Sequence, residues 1–321
     1  MKIAVLDRLT LGSDLDLSEA NKFGEVVIYD KTDMSEVEEH IGDADVVFVN
    51  KVKLNETNLK NAHNLKVICE AATGYDNIDA KYCKSRGIAV CNVPGYSIYS
   101  VAQVTVSMVL SLVNHLHEYT GYTKSGIYTE KGNANILTPV YHELYGKTWG
   151  IVGYGGIGER VGEIAKALGC NIMAFKRTPV DGVECTDIDT LVEKSDIITV
   201  HIPLSDSTRT LINKERISKM KKSAILVNTA RGGVLDEAAV CSAVKEGKIA
   251  AFGSDVYSTE PFSKDSPYYS IKDLDNVCLT PHMAWGALEA RQRCFREMIA
   301  DMNAFFKGEV RNRIDMQEGI E

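Results

Sequence analysis

The sequence lacks the features that mark several large classes of protein. Its eight cysteines include no C-x-x-C pair, so the usual zinc-binding spacing is absent and we expect no metal site. It contains no dense run of Lys and Arg, and its formal net charge is −8. Because phosphate binding needs a positive field, this balance argues against nucleic acid as the main partner. It contains no low-complexity tract and no fixed short repeat.

The hydrophobic pattern of the sequence also predicts neither a signal peptide nor a membrane span. The apolar run that follows Lys2 is too short for a signal peptide. The longest uncharged stretch is Ile88 to His117, but Pro94 and Gly95 interrupt it and polar residues are frequent in the rest. A stretch of this kind is typical of a helix buried between domains or subunits. Together with free thiols, these features predict a cytoplasmic protein that does not bind a membrane.

What the sequence does contain is an alternation of strand and helix patterns in two blocks. The first block has predicted strands at Ile3–Leu6, Val26–Tyr29, Val46–Val49, Val67–Cys69 and Ala89–Cys91. The second has them at Thr148–Val152, Ile172–Phe175, Ile197–His201, Ala224–Asn228, Ala251–Asp255 and Val277–Thr280. Such alternation argues for parallel sheets, and 321 residues are enough for two domains. The predicted class is therefore α/β, with two doubly wound parallel-sheet domains.

A long apolar helix is predicted between the two blocks, from Ser97 as N-cap to His117, and Tyr119–Glu143 is predicted to be a connecting stretch without a clear period. A last helix is predicted at about Leu288–Lys307. The apolar residues of the long helix exceed what one face can hide: Val101, Val104, Met108, Val109, Leu112, Val113 and Leu116. This excess predicts a homodimer through the helix. The alternative is burial between the two domains of one chain.

A glycine-rich turn, G-x-G-x-x-G, stands directly after a predicted strand and directly before a predicted helix. Gly153 makes the tight turn, Gly155 lets the backbone approach a pyrophosphate, and Gly158 lets the helix pack closely on the strand. Gly156 and Ile157 lie within the same turn, where free N–H groups at the helix start would face the anion. The context predicts dinucleotide binding and a central Rossmann domain. The alternative is a structural turn without a ligand.

The residues at the end of the second predicted strand of the second block indicate which cofactor is bound. NAD enzymes of this fold place an Asp or Glu there to bind the ribose 2′-hydroxyl. This sequence has Lys176 and Arg177 instead, and the nearest acid, Asp181, lies beyond Pro179. A guanidinium would pair with the 2′-phosphate of NADP. We therefore predict a preference for NADP, with NAD as a second possibility, unless both cations simply point into solvent.

Three charged residues follow predicted strands of the second block, where ligands of open α/β sheets bind. Arg231 would hold a carboxylate bidentately and polarise a ketone, and His282 would protonate the ketone oxygen as hydride arrives at carbon. Glu260 would favour the charged form of that acid. Each has an ordinary explanation alone, as a surface ion pair, a structural histidine or a turn residue before Pro261. Their coincidence at one sheet edge favours the catalytic interpretation.

With these motifs the sequence resembles the D-isomer-specific 2-hydroxyacid dehydrogenases over essentially its full length. The family's segments appear in order: the glycine turn, then Asn228-Thr229-Ala230-Arg231-Gly232, Asp255-Val256 with Glu260-Pro261, and Thr280-Pro281-His282. The resemblance implies a discontinuous substrate domain, residues 1–97 plus 286–321, and a dinucleotide-binding domain, residues 98–285. It places Arg231, Glu260 and His282 at the substrate-binding, His-assisting and proton-donor positions, and it implies a homodimer. The cofactor set is completed by His201, Pro203, Thr229, Ala230 and Asp255.

The family's substrate loop matches residues 72–79. There Thr73, Gly74 and Tyr75 are the expected substrate-binding residues, with the amides of Gly74 and Tyr75 on the carboxylate. Phosphoglycerate dehydrogenases usually carry an Arg four residues before the loop glycine, where this sequence has Glu70. A negative charge there would repel a phosphate, which disfavours a phosphorylated substrate.

Three functions stay open at this stage. Segments such as Gly24–Asp30 and Asn92–Ser97 look most like the glycerate dehydrogenase, or hydroxypyruvate reductase, branch of the family. That likeness implies reduction of hydroxypyruvate or glyoxylate. A D-lactate or other D-2-hydroxyacid dehydrogenase is the second candidate. A dinucleotide-sensing co-repressor-like binding protein is the third, and the absence of extra interaction tails makes it less favoured.

Overall fold

A computed structural model describes residues 1–317 of the chain. The chain folds into two compact units, one made of Met1–Ser97 together with the residues from Gly286 onward, the other of Ile98–Trp285. The strands are β1 (Lys2–Val5), β2 (Glu25–Ile28), β3 (Val46–Val49), β4 (Val67–Glu70), β5 (Ala89–Cys91), β6 (Thr148–Val152), β7 (Asn171–Phe175), β8 (Glu184–Cys185), β9 (Ile197–Val200), β10 (Ile225–Asn228), β11 (Ala251–Ser254) and β12 (Val277–Leu279). The α-helices are α1 (Val37–Ile41), α2 (Glu56–Leu59), α3 (Ala80–Ser85), α4 (Ile98–Val113), α5 (Leu116–Lys124), α6 (Ile127–Lys131), α7 (Gly156–Ala167), α8 (Ile188–Lys194), α9 (Lys214–Lys219), α10 (Glu237–Lys245) and α11 (Leu288–Phe306).

The first unit is built on a parallel sheet with the strand order β2-β1-β3-β4-β5. Strands β3 and β4 are buried along their whole length, as expected for a parallel sheet covered on both faces. Helix α11 packs on β4 and β5, and its Phe295 meets Phe48 of β3 edge to face. Asn55 and Asp79 cap α2 and α3 through their side chains.

The second unit is built on a parallel sheet with the order β12-β11-β10-β9-β6-β7-β8. From β6 the chain proceeds first to β7 and β8, and then returns to the other side of β6 to form β9 through β12. The carboxyl ends of β6 and β9 therefore flank the switch point at which doubly wound sheets bind ligands. The predicted class, α/β with two doubly wound parallel sheets, is confirmed.

The long helix predicted from Ser97 to His117 is wrong as one element. Helix α4 ends at Val113, His115 adopts a left-handed conformation with φ of 50°, and α5 starts at Leu116 at an angle of 66° to α4. The Asn114 side chain donates to the carbonyl of Leu110, at 2.9 Å, which closes the last turn of α4. The stretch Tyr119–Glu143, predicted to be irregular, includes most of α5 and all of α6.

Helix α4 packs on α7, β10 and β11 within its own unit. Four of the seven residues singled out above are buried (Val101, Met108, Val109 and Leu112), whereas Leu116 is exposed. No single helix among residues 1–317 is both long and apolar enough to cross a membrane, although the bent pair α4 and α5 meets the length and composition criteria together.

Candidate functional site

The glycine turn has the geometry that its motif predicts. Gly153 has φ of +95°, and a Cβ there would lie 2.6 Å from the carbonyl oxygen of His201. A Cβ at Gly158 would lie 2.1 Å from the carbonyl oxygen of Gly153, so α7 can approach β6 only without a side chain. Around Gly155, by contrast, the space that a Cβ would occupy is open. Backbone atoms therefore pack tightly against Gly153 and Gly158, whereas Gly155 borders open space that a ligand can occupy.

Helix α7 starts at Gly156, and its first residues include Ile157. The N-terminus of a helix carries unpaired N–H groups and a partial positive charge. Here it lies at the carboxyl end of β6, beside the switch point. An open glycine cradle in front of a helix N-terminus fits the pyrophosphate of a dinucleotide. The turn therefore has the space and the hydrogen-bond donors that such a cofactor requires.

Lys176 and Arg177 follow the end of β7, the neighbour of β6 in the sheet. Both are exposed, and neither forms an ion pair with another described residue. Asp181 is exposed as well, five residues beyond Lys176. The end of the second strand of this unit thus presents positive charge, as the sequence predicts.

His201 follows β9 on the other side of the switch point. Both of its ring nitrogens are buried and have no hydrogen-bond partner in the described chain, although part of the residue is accessible. Burial lowers the pKa of the imidazole to about 3, so it is neutral at ordinary pH. Pro203, also in the predicted cofactor set, is exposed two residues later. Buried unpaired polar atoms are costly. The backbone carbonyl of His201 borders Gly153 of the glycine turn.

The segment after β10 is held by the side chain of Asn228, which is fully buried. Its amide oxygen accepts from the N–H of Ala230 and its amide nitrogen donates to the carbonyl of Arg231, both at 3.0 Å. The Thr229 hydroxyl is hydrogen-bonded to that of Thr105 on α4, at 2.8 Å. Arg231 itself is half-buried, and its guanidinium donates to the Ala230 carbonyl at 2.8 Å.

His282 and Glu260 are in direct contact. Nδ1 of His282 lies 2.6 Å from Oε2 of Glu260, while Oε1 of Glu260 accepts from the N–H of Tyr257 at 2.9 Å. Since an ionised carboxylate only accepts, Nδ1 is the donor and Nε2 is the nitrogen that can exchange a proton with a substrate. His282 has φ of +53°, a conformation that an ordinary residue adopts only when its surroundings impose it.

Asp255 imposes that conformation on the loop around His282. Its Oδ1 accepts from the Thr280 hydroxyl at 2.6 Å and from the N–H of Met283 at 2.8 Å, and its Oδ2 accepts from the N–H of Ala284 at 2.9 Å. The Asp255 carboxylate thus accepts hydrogen bonds from residues that precede and follow His282 in the chain. Asp255 was assigned to the cofactor set on sequence; its contacts give it a positioning function, and a role at the cofactor stays a prediction.

The structure therefore brings Glu260 and His282 together and places Arg231 after β10, next to the strand β11 that precedes Glu260. Asn228 was named only as part of a family segment, and the contacts of Asn228, Thr105 and Tyr257 were not predicted from the sequence. The signal that was available is a polar residue at the end of a buried strand, as at Asn228. Among the described residues, no three His, Cys, Asp or Glu side chains are grouped so as to hold a metal ion.

In the first unit, the predicted substrate loop follows β4. The Thr73 hydroxyl donates to the carbonyl of Val93 at 2.9 Å, and the Asn92 side chain donates to the carbonyl of Thr73 at 2.7 Å. Thr73 is exposed, and Gly74 and Tyr75 are half-buried. The loop is thus tied at its start to the segment after β5, with Gly74 next in the chain.

The inference drawn from the charge of Glu70 needs correction. Glu70 is fully buried at the end of β4. Burial raises the pKa of its carboxyl group well above its usual range, which favours the neutral form. The sequence-based argument assumed an ionised side chain facing the ligand, whereas Glu70 is fully buried and its neutral form is favoured. The exclusion of a phosphorylated substrate therefore stays a prediction.

Comparison with known proteins identifies the family. The model of the D-isomer-specific 2-hydroxyacid dehydrogenase NAD binding domain matches residues 106–284. A hydroxypyruvate reductase of Blautia hydrogenotrophica is 36% identical over 317 residues, which cover 96% of this chain and 98% of the relative. A glycerate dehydrogenase of Methylorubrum extorquens is 35% identical over 315 residues, covering 98% and 99%.

Solved structures agree with this result. A D-lactate dehydrogenase from Aquifex aeolicus, complexed with NAD and lactic acid, superposes with a TM-score of 0.86 at 30% identity, covering 99% of this chain and 100% of that chain. An acyclic imino acid reductase in complex with NADPH and D-Arg superposes with a TM-score of 0.85 at 29% identity, covering 98% and 100%. The chain therefore belongs to the D-isomer-specific 2-hydroxyacid dehydrogenase family, as a nicotinamide-dependent oxidoreductase acting on a small 2-keto or D-2-hydroxy acid.

Proposed function

We propose that the enzyme reduces hydroxypyruvate or glyoxylate to the corresponding 2-hydroxy acid, with NADPH as the preferred reductant. The observation that carries the reaction type is the hydrogen bond between His282 and Glu260, at 2.6 Å, at the carboxyl edge of the cofactor sheet. The choice of substrate is supported by the names of the two relatives that match nearly full length.

In this reaction His282 is the acid. When bound, a reduced nicotinamide would supply the hydride for the carbonyl carbon. Nε2 of His282 gives its proton to the carbonyl oxygen, while Nδ1 stays hydrogen-bonded to the Glu260 carboxylate. In the reverse direction the neutral imidazole takes the hydroxyl proton back. Asp255 keeps the loop of His282 in place through the N–H groups of Met283 and Ala284.

Arg231 binds the substrate carboxylate and polarises the carbonyl group, because a guanidinium offers paired donors to planar anions. The family resemblance adds Thr73 and the main-chain amides of Gly74 and Tyr75 to the groups that recognise the substrate. Accordingly, the unit of residues 98–285 is the cofactor domain. Residues 1–97 with 286–321 form the substrate domain.

The cofactor would be held by the glycine turn and by the strand ends around the switch point. Gly153, Gly155, Gly156, Ile157 and Gly158 receive the pyrophosphate. The remaining contacts come from His201, Pro203, Thr229 and Ala230. Two unpaired buried nitrogens on His201 support its place in this set, since a ligand that offers a polar group there would remove their cost.

The preference for NADP depends on Lys176 and Arg177. Both are exposed and free of ion pairs with described residues, so they are available to a 2′-phosphate. The test is kcat/KM for NADPH and NADH in the wild type, in Arg177→Ala and in Arg160→Ala as a control. Arg160 lies on α7, where it pairs with Glu163. We expect the NADPH preference to fall in Arg177→Ala and to persist in Arg160→Ala. A wild type that favours NADH would exclude the preference.

A homodimer is also proposed. The sequence placed its interface on the helix that is now α4, but α4 packs on α7, β10 and β11 within its own unit, so the interface is proposed in the segment from Leu116 to Tyr145 instead. Large apolar side chains are exposed along this segment, including Tyr145 at 80%, Leu137 at 73% and Val140 at 68%. Patches of this kind mark association surfaces. Light scattering should give about twice the chain mass of 35.3 kDa, and a measured mass near 35.3 kDa would exclude the dimer.

The decisive experiment for the function is a panel of keto acids, followed by loss of absorbance of the reduced cofactor. The panel contains hydroxypyruvate, glyoxylate, pyruvate and phosphohydroxypyruvate. We expect the highest kcat/KM for hydroxypyruvate or glyoxylate. Higher values for pyruvate would indicate the D-lactate branch instead. No turnover of any member, combined with tight NADPH binding, would favour a dinucleotide-sensing binding protein located, like the proposed enzyme, in the cytoplasm.

A further inference from the structure

Two buried carboxyl groups lie at the carboxyl edge of the sheet in the first unit. Asp7 follows β1, and its carboxylate accepts from the N–H groups of Asn50 at 3.0 Å, Lys51 at 2.5 Å and Val52 at 3.2 Å. Burial raises the pKa of Asp7, and the three amide donors oppose that shift. Glu70 ends β4, and its carboxyl group has one hydrogen bond within residues 1–317: its Oε2 accepts from the Asn77 side chain at 3.0 Å, while its Oε1 is buried without a partner there.

The surroundings of Glu70 favour its neutral form. Burial is the largest influence on the pKa of its carboxyl group and raises it, and the charges of Asp7 and Asp76 act in the same direction. The hydrogen bond from Asn77 and the charge of Lys51 oppose the shift. On the side of α11, the buried thiol of Cys294 faces Glu70. A negative charge on Glu70 contributes to the raised pKa of this thiol, after burial. An ionised carboxylate at Glu70 would find too few hydrogen-bond donors among the described residues, since only the Asn77 side chain donates to it.

Glu70 is coupled to the predicted substrate loop through Asn77. The side-chain nitrogen of Asn77 also donates to the carbonyl of Val52 at 3.1 Å, and its own carbonyl accepts from the N–H of Leu54 at 2.8 Å. These bonds fasten the end of the loop to the segment after β3. The start of the loop is fastened through Thr73 to Val93. The amides of Gly74 and Tyr75 lie between the two attachments.

Packing of β4 does not explain a carboxyl group at this position. Every other residue of the strand is apolar or a thiol, and all are fully buried. A β-branched residue would fill the same space without the cost of an unpaired buried oxygen. The contact that only a polar side chain can make here is the one to Asn77.

We propose that Glu70 is a positioning residue for the substrate: through Asn77 it holds the main chain of residues 72–79 so that the amides of Gly74 and Tyr75 are presented to the keto-acid carboxylate. The proposal depends on the proposed function of the loop. The neutral form of the carboxyl group, which burial favours, performs this task without placing negative charge next to a loop that is proposed to bind an anion.

The test compares the wild type with Glu70→Ala, Glu70→Gln and Ile68→Ala. Glutamine keeps an acceptor for Asn77 and carries no charge, whereas alanine removes the acceptor. Ile68 is the matched control, because it is a buried residue of the same strand without a polar group. For each protein we would measure KM and kcat for hydroxypyruvate at saturating NADPH and the KM for NADPH. Hydrogen exchange of the peptide that covers residues 71–79 would be followed in parallel.

We expect Glu70→Ala to raise the KM for hydroxypyruvate by about tenfold or more and to speed exchange in the loop, with the KM for NADPH unchanged. Glu70→Gln should stay within about threefold of the wild type, as expected when one acceptor replaces another. Ile68→Ala should lower the melting temperature but leave both readouts of the loop unchanged.

Two results would overturn the proposal: wild-type KM and exchange in Glu70→Ala, or equal changes in Ile68→Ala, which would indicate a general loss of stability. If the wild type reduces no keto acid, the proposed function fails instead. The exchange of residues 71–79 then decides by itself whether Glu70 orders the loop.

Discussion

Replacing Gly158 by alanine tests the closest contact in the cofactor turn. A Cβ at this position would lie 2.1 Å from the carbonyl oxygen of Gly153 and 3.1 Å from Cγ2 of Ile151. The nearer atom belongs to backbone in a tight turn, so it cannot rotate away as a side chain could. Helix α7 must therefore shift relative to β6, or the turn must open.

The size of the effect follows from two opposing contributions. Overpacking of a well-packed site costs about 1–3 kcal/mol, and contact with backbone places this site toward the upper end. Alanine in a helix regains up to about 1 kcal/mol over glycine. The net loss is then about 2 kcal/mol. For a unit of this size that lowers the melting temperature by roughly 4–8 °C.

Gly155→Ala is the matched control, because a Cβ there meets nothing within 4 Å and φ is −93°. Its stability should stay within about 0.5 kcal/mol of the wild type, since an exposed substitution without a clash has little effect. Its affinity for NADPH should nevertheless fall by about tenfold or more, because the second glycine of the motif admits the pyrophosphate.

The assays are thermal unfolding followed by circular dichroism and titration of NADPH by fluorescence. The reasoning is refuted if Gly158→Ala melts within about 1 °C of the wild type, which is smaller than any shift expected from the clash. It is equally refuted if Gly155→Ala binds NADPH as tightly as the wild type, because the turn would then not hold the pyrophosphate.

Three further predictions concern single side chains. His282→Ala should lower kcat by about 10²–10⁴-fold with NADPH affinity nearly unchanged, since a general acid contributes about that factor; activity within a few-fold of the wild type would show that His282 is not the acid. Arg231→Ala should raise KM and lower kcat together, each lost charged hydrogen bond being worth about 1.5–3 kcal/mol, and an unaltered KM would contradict its contact with the carboxylate. The raised pKa of Glu70 means that the native state keeps a proton that the unfolded chain loses above about pH 4.5, so wild-type stability falls as pH rises from there toward the native pKa. Glu70→Gln lacks this dependence, and its melting temperature relative to the wild type should therefore be higher at pH 8 than at pH 5; a constant difference would show that Glu70 is ionised in the native protein.

The sequence by itself determined the elements whose signal is local. Buried parallel strands appear as short apolar runs, so β3, β5 and β6 were predicted with their observed bounds. The glycine turn between β6 and α7 was predicted for the same reason, because its steric requirements lie within six consecutive residues. The family motifs around Arg231, Glu260 and His282 were likewise found in short segments.

Tertiary structure decided the features that depend on distant neighbours. The two-residue strand β8 has no period of its own and exists because β7 lies beside it. The break at His115 could not be predicted from an apolar pattern that continues to Leu116. Asp255 positions His282 from a distance of 27 residues along the chain. Glu70 appears in the sequence as a charged residue, yet its burial raises the pKa of the carboxyl group and favours the neutral form, because the free energy of an ionised group is set by the groups that surround it in space.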